Sequence, residues 1–226
     1  HHCGWTGSLK RGEDTPSDMP SRPRIYRKPP AHTPALPTSS LLDWFAKRGL
    51  PAALVERRKI TTGLIYMPAV EEEVKAIQFP YFRDGECVNI KYRDHHKNFR
   101  MVGGAERIFY GLDDLQGDCV VICEGEIDAM SIELAGYPSV LSVPDGAPAV
   151  GTKNYASKFD FLVAAEAVLA PLREIILAVD NDLPGQTLAA ELARRLGPER
   201  CQCVLWPEGC KDANEVLLAH GAETLR

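Results

Sequence analysis

The sequence predicts an α/β protein in which a small antiparallel sheet precedes a doubly wound parallel sheet with helices on both faces. In the second half, four apolar runs of strand length alternate with helical segments and lie at 119–123, 140–143, 175–179 and 203–206. Such alternation is typical of a parallel sheet. In the first half, strand-like runs lie at 63–67, 74–82 and 86–93, and Asp84-Gly85 between the last two is typical of a hairpin turn.

Two short helices are predicted ahead of the antiparallel strands. Ser40 followed by Asp43 resembles a capping box, and Gly49 ends the first helix. Pro51 suits the start of a second helix that runs through Arg58. We expect these helices to cover the sheet, within a subdomain that spans 39–116. The parallel sheet then occupies a second domain, 117–226.

Composition places the chain among soluble globular proteins. It has 226 residues, of which 45% are hydrophobic and 25% charged, with a formal net charge of -5. No apolar run approaches the roughly 18 residues of a membrane helix and no signal peptide opens the chain, so we expect no membrane partner. The seven cysteines are odd in number and scattered, which favours reduced thiols in a cytoplasmic protein.

The N-terminal region divides into a fragment at 1–13 and a linker at 14–38. The opening Cys3-Gly4-Trp5 is typical of the closing knuckle of a zinc ribbon, but the other cysteine of its pair would precede residue 1. Cys3 therefore belongs to an incomplete zinc site. The alternative is that His1-His2 is the remnant of a tag. Residues 14–38 carry seven prolines, which predicts a semi-extended linker.

A basic segment follows the predicted hairpin. Residues 91–100 contain four fixed cations and two histidines, interleaved with Tyr92 and Phe99. Lys91 and Arg93 alternate with Tyr92, so they share one face of a strand. That face suits the phosphates of a nucleotide or a template strand, with the aromatic rings available for base stacking. The alternative is a solvated edge strand whose charges prevent aggregation.

Acidic residues follow three of the predicted parallel strands. Glu124 ends the first strand, Asp180 and Asp182 follow the 175–179 strand, and Asp212 lies beyond the last one. Because the carboxyl ends of parallel strands meet at one edge of the sheet, we expect these carboxylates to converge. Crowded carboxylates repel one another unless a cation lies between them, and Mg²⁺ fits that need. The alternative is that Asp180 caps a helix and Asp182 is a loop residue.

Together these motifs resemble the TOPRIM domain of primases, most closely the primase half of phage-type primase-helicases, to which Twinkle proteins are also similar. The matching motifs are Glu124-Gly125-Glu126-Ile127-Asp128, then Asp180-Asn181-Asp182 with Gly185, then Lys211-Asp212-Ala213-Asn214-Glu215. The segment that begins at Lys91 and the Cys3-Gly4-Trp5 opening resemble the parts that precede TOPRIM in such primases. Each motif alone is weak, but the joint pattern is specific and covers essentially the whole chain.

The resemblance implies a role for each of these residues. Glu124, Asp180 and Asp182 would hold the catalytic Mg²⁺ or Mn²⁺, with Asp212 in support. The nucleotide or the template would be bound by Lys91, Arg93, Lys97, Arg100 and Lys211, and Lys91 would also be catalytic. Zn²⁺ would bind only in the full-length protein. Animal Twinkle-like relatives have lost the key acids and do not prime, whereas this chain keeps them, so we expect a competent site.

The implied activity is DNA primase: ribonucleoside triphosphates would be joined on single-stranded DNA in the cytoplasmic replication apparatus of a bacterium, phage or prophage. The chain lacks a Gly-x-x-x-x-Gly-Lys-Ser/Thr loop, so the helicase partner would act from another domain, in cis or in trans. Two alternatives stay open at this point. One is a non-catalytic module of a replicative helicase that binds single-stranded DNA. The other is a different TOPRIM phosphoryl-transfer enzyme, such as a nuclease.

Overall fold

The structure is a computed structural model and describes residues 25–32, 36–149, 152 and 155–226. The predicted zinc-ribbon fragment at 1–13, with Cys3, lies outside the described residues, as does most of the predicted linker. The helices are α1 Ser39–Ala46, α2 Ala52–Arg57, α3 Glu126–Leu134, α4 Asp160–Leu169, α5 Leu183–Leu196 and α6 Ala213–His220. The strands are β1 Thr61–Met67, β2 Glu72–Arg83, β3 Glu86–Arg93, β4 Phe99–Met101, β5 Cys119–Cys123, β6 Val140–Ser142, β7 Glu174–Ala178 and β8 Cys201–Cys203.

The second half of the chain forms a four-stranded parallel sheet with the order β6-β5-β7-β8. The connection through α3 runs from β5 to β6 in one direction, whereas those through α4 and α5 run in the other. Because such crossovers are right-handed, α3 lies on one face of the sheet and α4 and α5 lie on the opposite face. The chain therefore reverses direction between β5 and β7. In doubly wound sheets, ligands bind at this point, beyond the carboxyl ends of the strands.

The first half forms an antiparallel sheet with the order β1-β2-β3-β4. The fourth strand revises the prediction for 91–100, which is not one continuous basic strand. The segment folds back at a tight turn in which the carboxylate of Asp94 accepts bonds from the backbone of His96 at 2.9 Å and Asn98 at 2.8 Å. Lys97 takes up the left-handed backbone at φ 65° in this turn. Phe99, in β4, consequently lies opposite Arg93 of β3. In one continuous strand it would lie six residues beyond Arg93.

The two sheets share one hydrophobic core. Phe79 and Tyr81 of β2 pack in the same cluster as Val121 and Ile122 of β5 and the buried residues of α3. A smaller cluster on the outer face of the antiparallel sheet contains Tyr92. The mixed α/β prediction, with an antiparallel sheet ahead of a parallel one, is confirmed. Because the core is continuous, the basic hairpin and the parallel strand ends are held in a fixed relation.

Two local predictions differ from the structure. Thr38 rather than Ser40 caps α1, since its hydroxyl accepts from the backbone of Leu41 at 3.4 Å. The last strand is Cys201–Cys203 rather than 203–206. Its ladder ends where Val204 donates to the Leu177 carbonyl at 3.0 Å, and Trp206 then turns inward to donate its indole N–H to the Val179 carbonyl at 2.7 Å. None of the helices in the described ranges is both long and apolar enough to cross a membrane.

Candidate active site

Glu124 lies at the point where the parallel sheet reverses direction and links three strand ends. It follows β5, and its Oε1 accepts a hydrogen bond from the backbone N–H of Asp180, after β7, at 3.2 Å. Its Oε2 accepts from the backbone N–H of Ala147, after β6, at 3.2 Å. The structure therefore places Glu124 and Asp180 next to each other at this edge. Their roles at this position stay predictions.

The electrostatics of this edge are those of crowded acids. Burial raises the pKa of Glu124 to about 7, and the negative charge of Asp180 adds to the effect. Burial also raises the pKa of Asp180, against the opposing influence of Lys211. Two carboxyl groups that both resist ionisation at one site favour a positive charge between or beside them.

Lys211 supplies such a charge in the structure. Its ammonium nitrogen lies 2.6 Å from Oδ2 of Asp180 and 3.7 Å from Oδ2 of Asp212. The backbone N–H of Asn181 also donates to the Lys211 carbonyl at 2.7 Å, which ties the loop after β7 to the segment before α6. The contact with Asp180 raises the pKa of Lys211, so the ammonium stays charged. Lys211 thus occupies the position of a cation among carboxylates.

Asp182 and Asp212 each cap a helix. Oδ1 of Asp182 accepts from the backbone N–H of Gly185 at 2.9 Å at the start of α5, and Oδ1 of Asp212 accepts from Glu215 at 2.8 Å at the start of α6. The cap after β7 is therefore Asp182, not Asp180. Capping occupies one oxygen of each carboxylate. Asp212 and Glu124 both line a cleft beside this edge of the sheet, whereas Asp182 is exposed and does not line it.

Gly185 allows α5 to approach the acids closely. A Cβ at this position would lie 2.1 Å from the carbonyl oxygen of Asp180 and 2.7 Å from Oε1 of Glu124. Contacts that short do not occur between real atoms, so only glycine fits without a shift of the helix. The glycine in the motif after Asp182 therefore has a direct structural reason.

Asp128 is a further acid of the site that the candidate list from the sequence missed. It lies in the first turn of α3, lines the same cleft and accepts from the backbone N–H of Asn214 at 3.1 Å. Burial, followed by the charges of Asp212 and Asp180, raises its pKa well above the usual range. The signal was present, since Asp128 closes the Glu124-to-Asp128 motif, but its approach to Asp212 depends on how α3 packs against α6.

The basic hairpin forms the opposite wall of a cleft of about 570 Å³. Lys91, Arg93, Lys97 and Arg100 all border it together with Glu124, Asp180 and Lys211. The guanidinium of Arg100 donates to the backbone carbonyl of Tyr66 in β1. Lys91 is buried and its ammonium lies 2.8 Å from Oε1 of Glu126, which also accepts from the hydroxyl of Tyr81.

This arrangement brings oxygen donors and cations to one cleft without a preassembled metal cage. Within the described ranges, no three Asp, Glu, His or Cys side chains already surround a single metal position. The donors are nevertheless of the kind that hard divalent ions take, and the Lys211 ammonium beside Asp180 occupies a cation position between strand ends. The residues present therefore fit a divalent ion, which would replace the Lys211 ammonium beside Asp180.

The comparisons with known proteins agree with this fold. Residues 118–205 match the family model of the Toprim domain. The chain is 41% identical over 196 residues to the chloroplastic/mitochondrial Twinkle homolog protein of Arabidopsis thaliana, and 39% identical over 196 residues to a primase homolog protein of the same plant. Each alignment covers 81% of this chain, which spans 27% of the first relative and 56% of the second.

Among solved structures, the chain resembles the primase fragment of the bacteriophage T7 primase-helicase. The TM-score is 0.61 with 25% sequence identity, over 80% of this chain and 70% of that one. The chain therefore contains a Toprim domain. Within the class of proteins that carry this domain, its sequence and fold are similar to those of Twinkle and primase proteins, with the antiparallel subdomain ahead of the Toprim sheet.

Proposed function

We propose that the chain is the catalytic core of a DNA primase, which makes short RNA primers on single-stranded DNA with the help of divalent ions. The observation that supports this function best is the cleft itself. Carboxylates from three strand ends face the cations of the hairpin across about 570 Å³ of open space. A primase has to bring together a metal-bound triphosphate and a template strand, and these two walls supply the two kinds of contact.

Glu124 and Asp180 would hold Mg²⁺ or Mn²⁺, with Asp128 and Asp212 beside them and Asp182 contributing the oxygen that does not cap α5. When bound, the ion supplies charge neutralisation for the triphosphate and a lowered pKa for the attacking 3′-hydroxyl. Lys211 keeps Asp180 paired when no ion is present, since the two groups are 2.6 Å apart. Released from Asp180, the same ammonium is free to bind phosphate oxygens.

The chain's other contributions are positioning and charge. Phosphoryl transfer needs little covalent chemistry from the protein, and this agrees with a cleft that has no activated serine or cysteine nucleophile among its described lining residues. Lys97 and Arg93 border the cleft and are suited to bind phosphates of the nucleotide or the template. Lys91 acts differently, since Glu126 compensates its charge and holds its ammonium in place.

A non-catalytic module for single-stranded DNA is the main alternative, and the hairpin alone would suit it. The acids argue against it, because carboxylates grouped opposite a basic surface do not help DNA binding and, once ionised, repel phosphates unless a cation is also bound. A nuclease is the remaining alternative, since the same acids and ion would serve phosphodiester hydrolysis. The two curated relatives are named as a Twinkle homolog and a primase homolog, which favours priming.

Labelled ribonucleotide incorporation on single-stranded DNA, with Mg²⁺ or Mn²⁺, tests the proposal on the full-length protein. We expect short RNA products from the wild type and none from Asp180→Ala. Asp118→Ala is the matched control, because Asp118 is exposed at the opposite end of β5 and its carboxylate lies 3.7 Å from the guanidinium of Arg173, away from the residues that line the cleft. Absence of product from the full-length wild type would favour the binding module, and metal-dependent loss of labelled DNA would indicate a nuclease.

The expected partners are a single-stranded DNA template, ribonucleoside triphosphates and a helicase domain in cis or in trans. A helicase partner is supported by the T7 relative, which is named as a primase-helicase. The sequence predicts a cytoplasmic protein of a bacterium or phage. One plant relative is named chloroplastic/mitochondrial, so the compartment of this chain stays a prediction. The zinc site that would include Cys3 also stays a prediction, since Cys3 lies outside the described residues.

A further inference from the structure

Cations and aromatic rings alternate along the hairpin side of the cleft. The guanidinium carbon of Arg48 lies 3.3 Å from the ring centre of Trp44, and that of Arg93 lies 4.8 Å from the same ring. Arg93 is also 5.6 Å from the ring centre of Phe99, and the Lys91 ammonium is 5.2 Å from it. These five residues form a continuous row from α1 across β3 to β4, which we call the cation–aromatic row.

Phe99 is the open end of this row. Phe99 is 54% exposed although it belongs to the wall of the cleft, whereas Tyr92 of β3 is 4% exposed and packs on the other face of the sheet. Trp44 is covered closely by Arg48. The register places Phe99 opposite Arg93, on the face that carries Lys91. Of the aromatic residues predicted for base stacking, only Phe99 therefore presents its ring to the cleft.

The position of Phe99 in the sheet makes this exposure informative. β4 is an edge strand of the described sheet, and edge strands commonly carry charged residues or proline, which discourage association. A large exposed side chain at such an edge runs against this tendency, and a contact with a ligand in the cleft would account for it. Arg93, which contacts the ring, would be well placed to hold a phosphate of a ligand whose base lies on the ring.

We propose that Phe99 stacks against a nucleobase of the ligand in the cleft, and that Arg93 and Lys91 keep the ring in place for it. This inference rests on the proposed primase function and adds a residue that recognises the base through its π-face. Stacking tolerates every base, so the contact would raise affinity without selecting a sequence. The base belongs either to the incoming nucleotide or to the template strand, and both ligands offer the same chemistry.

Binding measurements on the full chain test the stacking contact without requiring synthesis. Two ligand pairs are compared with Mg²⁺ present: ATP against inorganic tripolyphosphate, and an oligo-dT strand against an abasic strand of equal length. Phe99→Leu keeps an apolar side chain but removes the π-face, and Phe99→Trp restores it. Val163→Ala is the control for loss of exposed apolar surface, since Val163 is 74% exposed on α4. Thermal unfolding confirms that each variant is folded.

We expect Phe99→Leu to lower the affinity for one of the two base-bearing ligands about tenfold and to leave the affinity for its base-free counterpart unchanged. Phe99→Trp should bind both ligands with nearly wild-type affinity. A loss confined to ATP assigns the base to the nucleotide, and a loss confined to oligo-dT assigns it to the template. Equal loss for base-free and base-bearing ligands, or no loss, overturns the inference. A wild type that binds in this way but makes no primers would refute the primase proposal alone.

Discussion

The ammonium of Lys91 lies 2.8 Å from Oε1 of Glu126, and both side chains are less than one tenth exposed. Tyr81 donates its hydroxyl hydrogen to the same carboxylate oxygen. Lys91 and Tyr81 belong to the antiparallel sheet, whereas Glu126 begins α3 of the Toprim sheet. The ion pair therefore joins the two subdomains beneath the cleft. Lys91, which the sequence suggested as a nucleotide contact, has its charge compensated within the protein before any ligand binds.

Removal of Glu126 should destabilise the fold strongly. In Glu126→Ala the Lys91 ammonium stays buried without its partner, which typically costs about 3–5 kcal/mol in the free energy of unfolding. Urea unfolding measures the difference, with Glu166→Ala in the exposed part of α4 as the control. The double variant Lys91→Met/Glu126→Leu should recover most of the loss, because an apolar pair replaces the ion pair. A loss below about 1 kcal/mol in Glu126→Ala would mean that water reaches Lys91.

Gly185→Ala should disturb the acidic edge as well as the helix. The added methyl group would meet the Asp180 carbonyl at 2.1 Å, so α5 must move away from β7. We expect a loss of about 1–3 kcal/mol in stability, together with weaker Mn²⁺ binding. Gly103→Ala is the matched control, since its Cβ would meet no atom within 4 Å. Unchanged stability in Gly185→Ala would show that the close approach of α5 is not required.

The sequence predicts those parts of the molecule that have local signals. The strand that ends in Glu124 and the strand that ends before Asp180 are short apolar runs, and a parallel sheet necessarily brings their carboxyl ends together. The capping role of Asp182 was also within reach, since it precedes Pro184 at the start of a helix. The alternative interpretation assigned the cap to Asp180, two residues before the position that the structure shows.

The features that the sequence did not predict depend on contacts between distant segments. The burial of Lys91 follows from its pairing with Glu126, which is 35 positions away and in the other subdomain. The fold-back that creates β4 depends on a side-chain turn at Asp94 and on a left-handed lysine, and neither has a sequence signal as strong as Asp84-Gly85. Tertiary packing, not local preference, decides these features.

The pH dependence of stability should report the buried carboxyl of Glu124. Its pKa is about 7 in the folded protein, against 4.5 for the ordinary group. Between these values the folded state holds the proton and the unfolded state has lost it, so the contribution of Glu124 to stability falls as pH rises from 4.5 to 7. Below and above this window the contribution is constant.

Glu124→Gln should remove that dependence. With EDTA present, the melting temperature of the variant relative to wild type should rise across this window and then level off. Glu166→Gln, on the exposed side of α4, controls for loss of a carboxylate. Excess Mg²⁺ should stabilise the wild type more than Glu124→Gln above pH 7, because an ion favours the ionised carboxylate. A difference in melting temperature that does not vary with pH would contradict the raised pKa.

Lys211→Gln should strengthen metal binding while it impairs synthesis. The ammonium lies 2.6 Å from Asp180 and competes with any cation for that carboxylate. Half of the lysine side chain is exposed, so the competing pair is worth about 1 kcal/mol, which corresponds to about a fivefold increase in Mn²⁺ affinity when it is removed. Primer synthesis should nevertheless fall, because the ammonium would no longer be available to the triphosphate.

Calorimetric titration with Mn²⁺ separates this competition from a supporting role of the lysine. Lys75→Gln, in an exposed part of β2, should leave Mn²⁺ affinity unchanged, and Asp180→Ala should weaken it in the presence or absence of Lys211. If Lys211 instead held Asp180 in a binding-ready position, Lys211→Gln would bind Mn²⁺ less tightly than wild type. That result would show that the lysine supports the acidic edge and does not occupy the place of an ion.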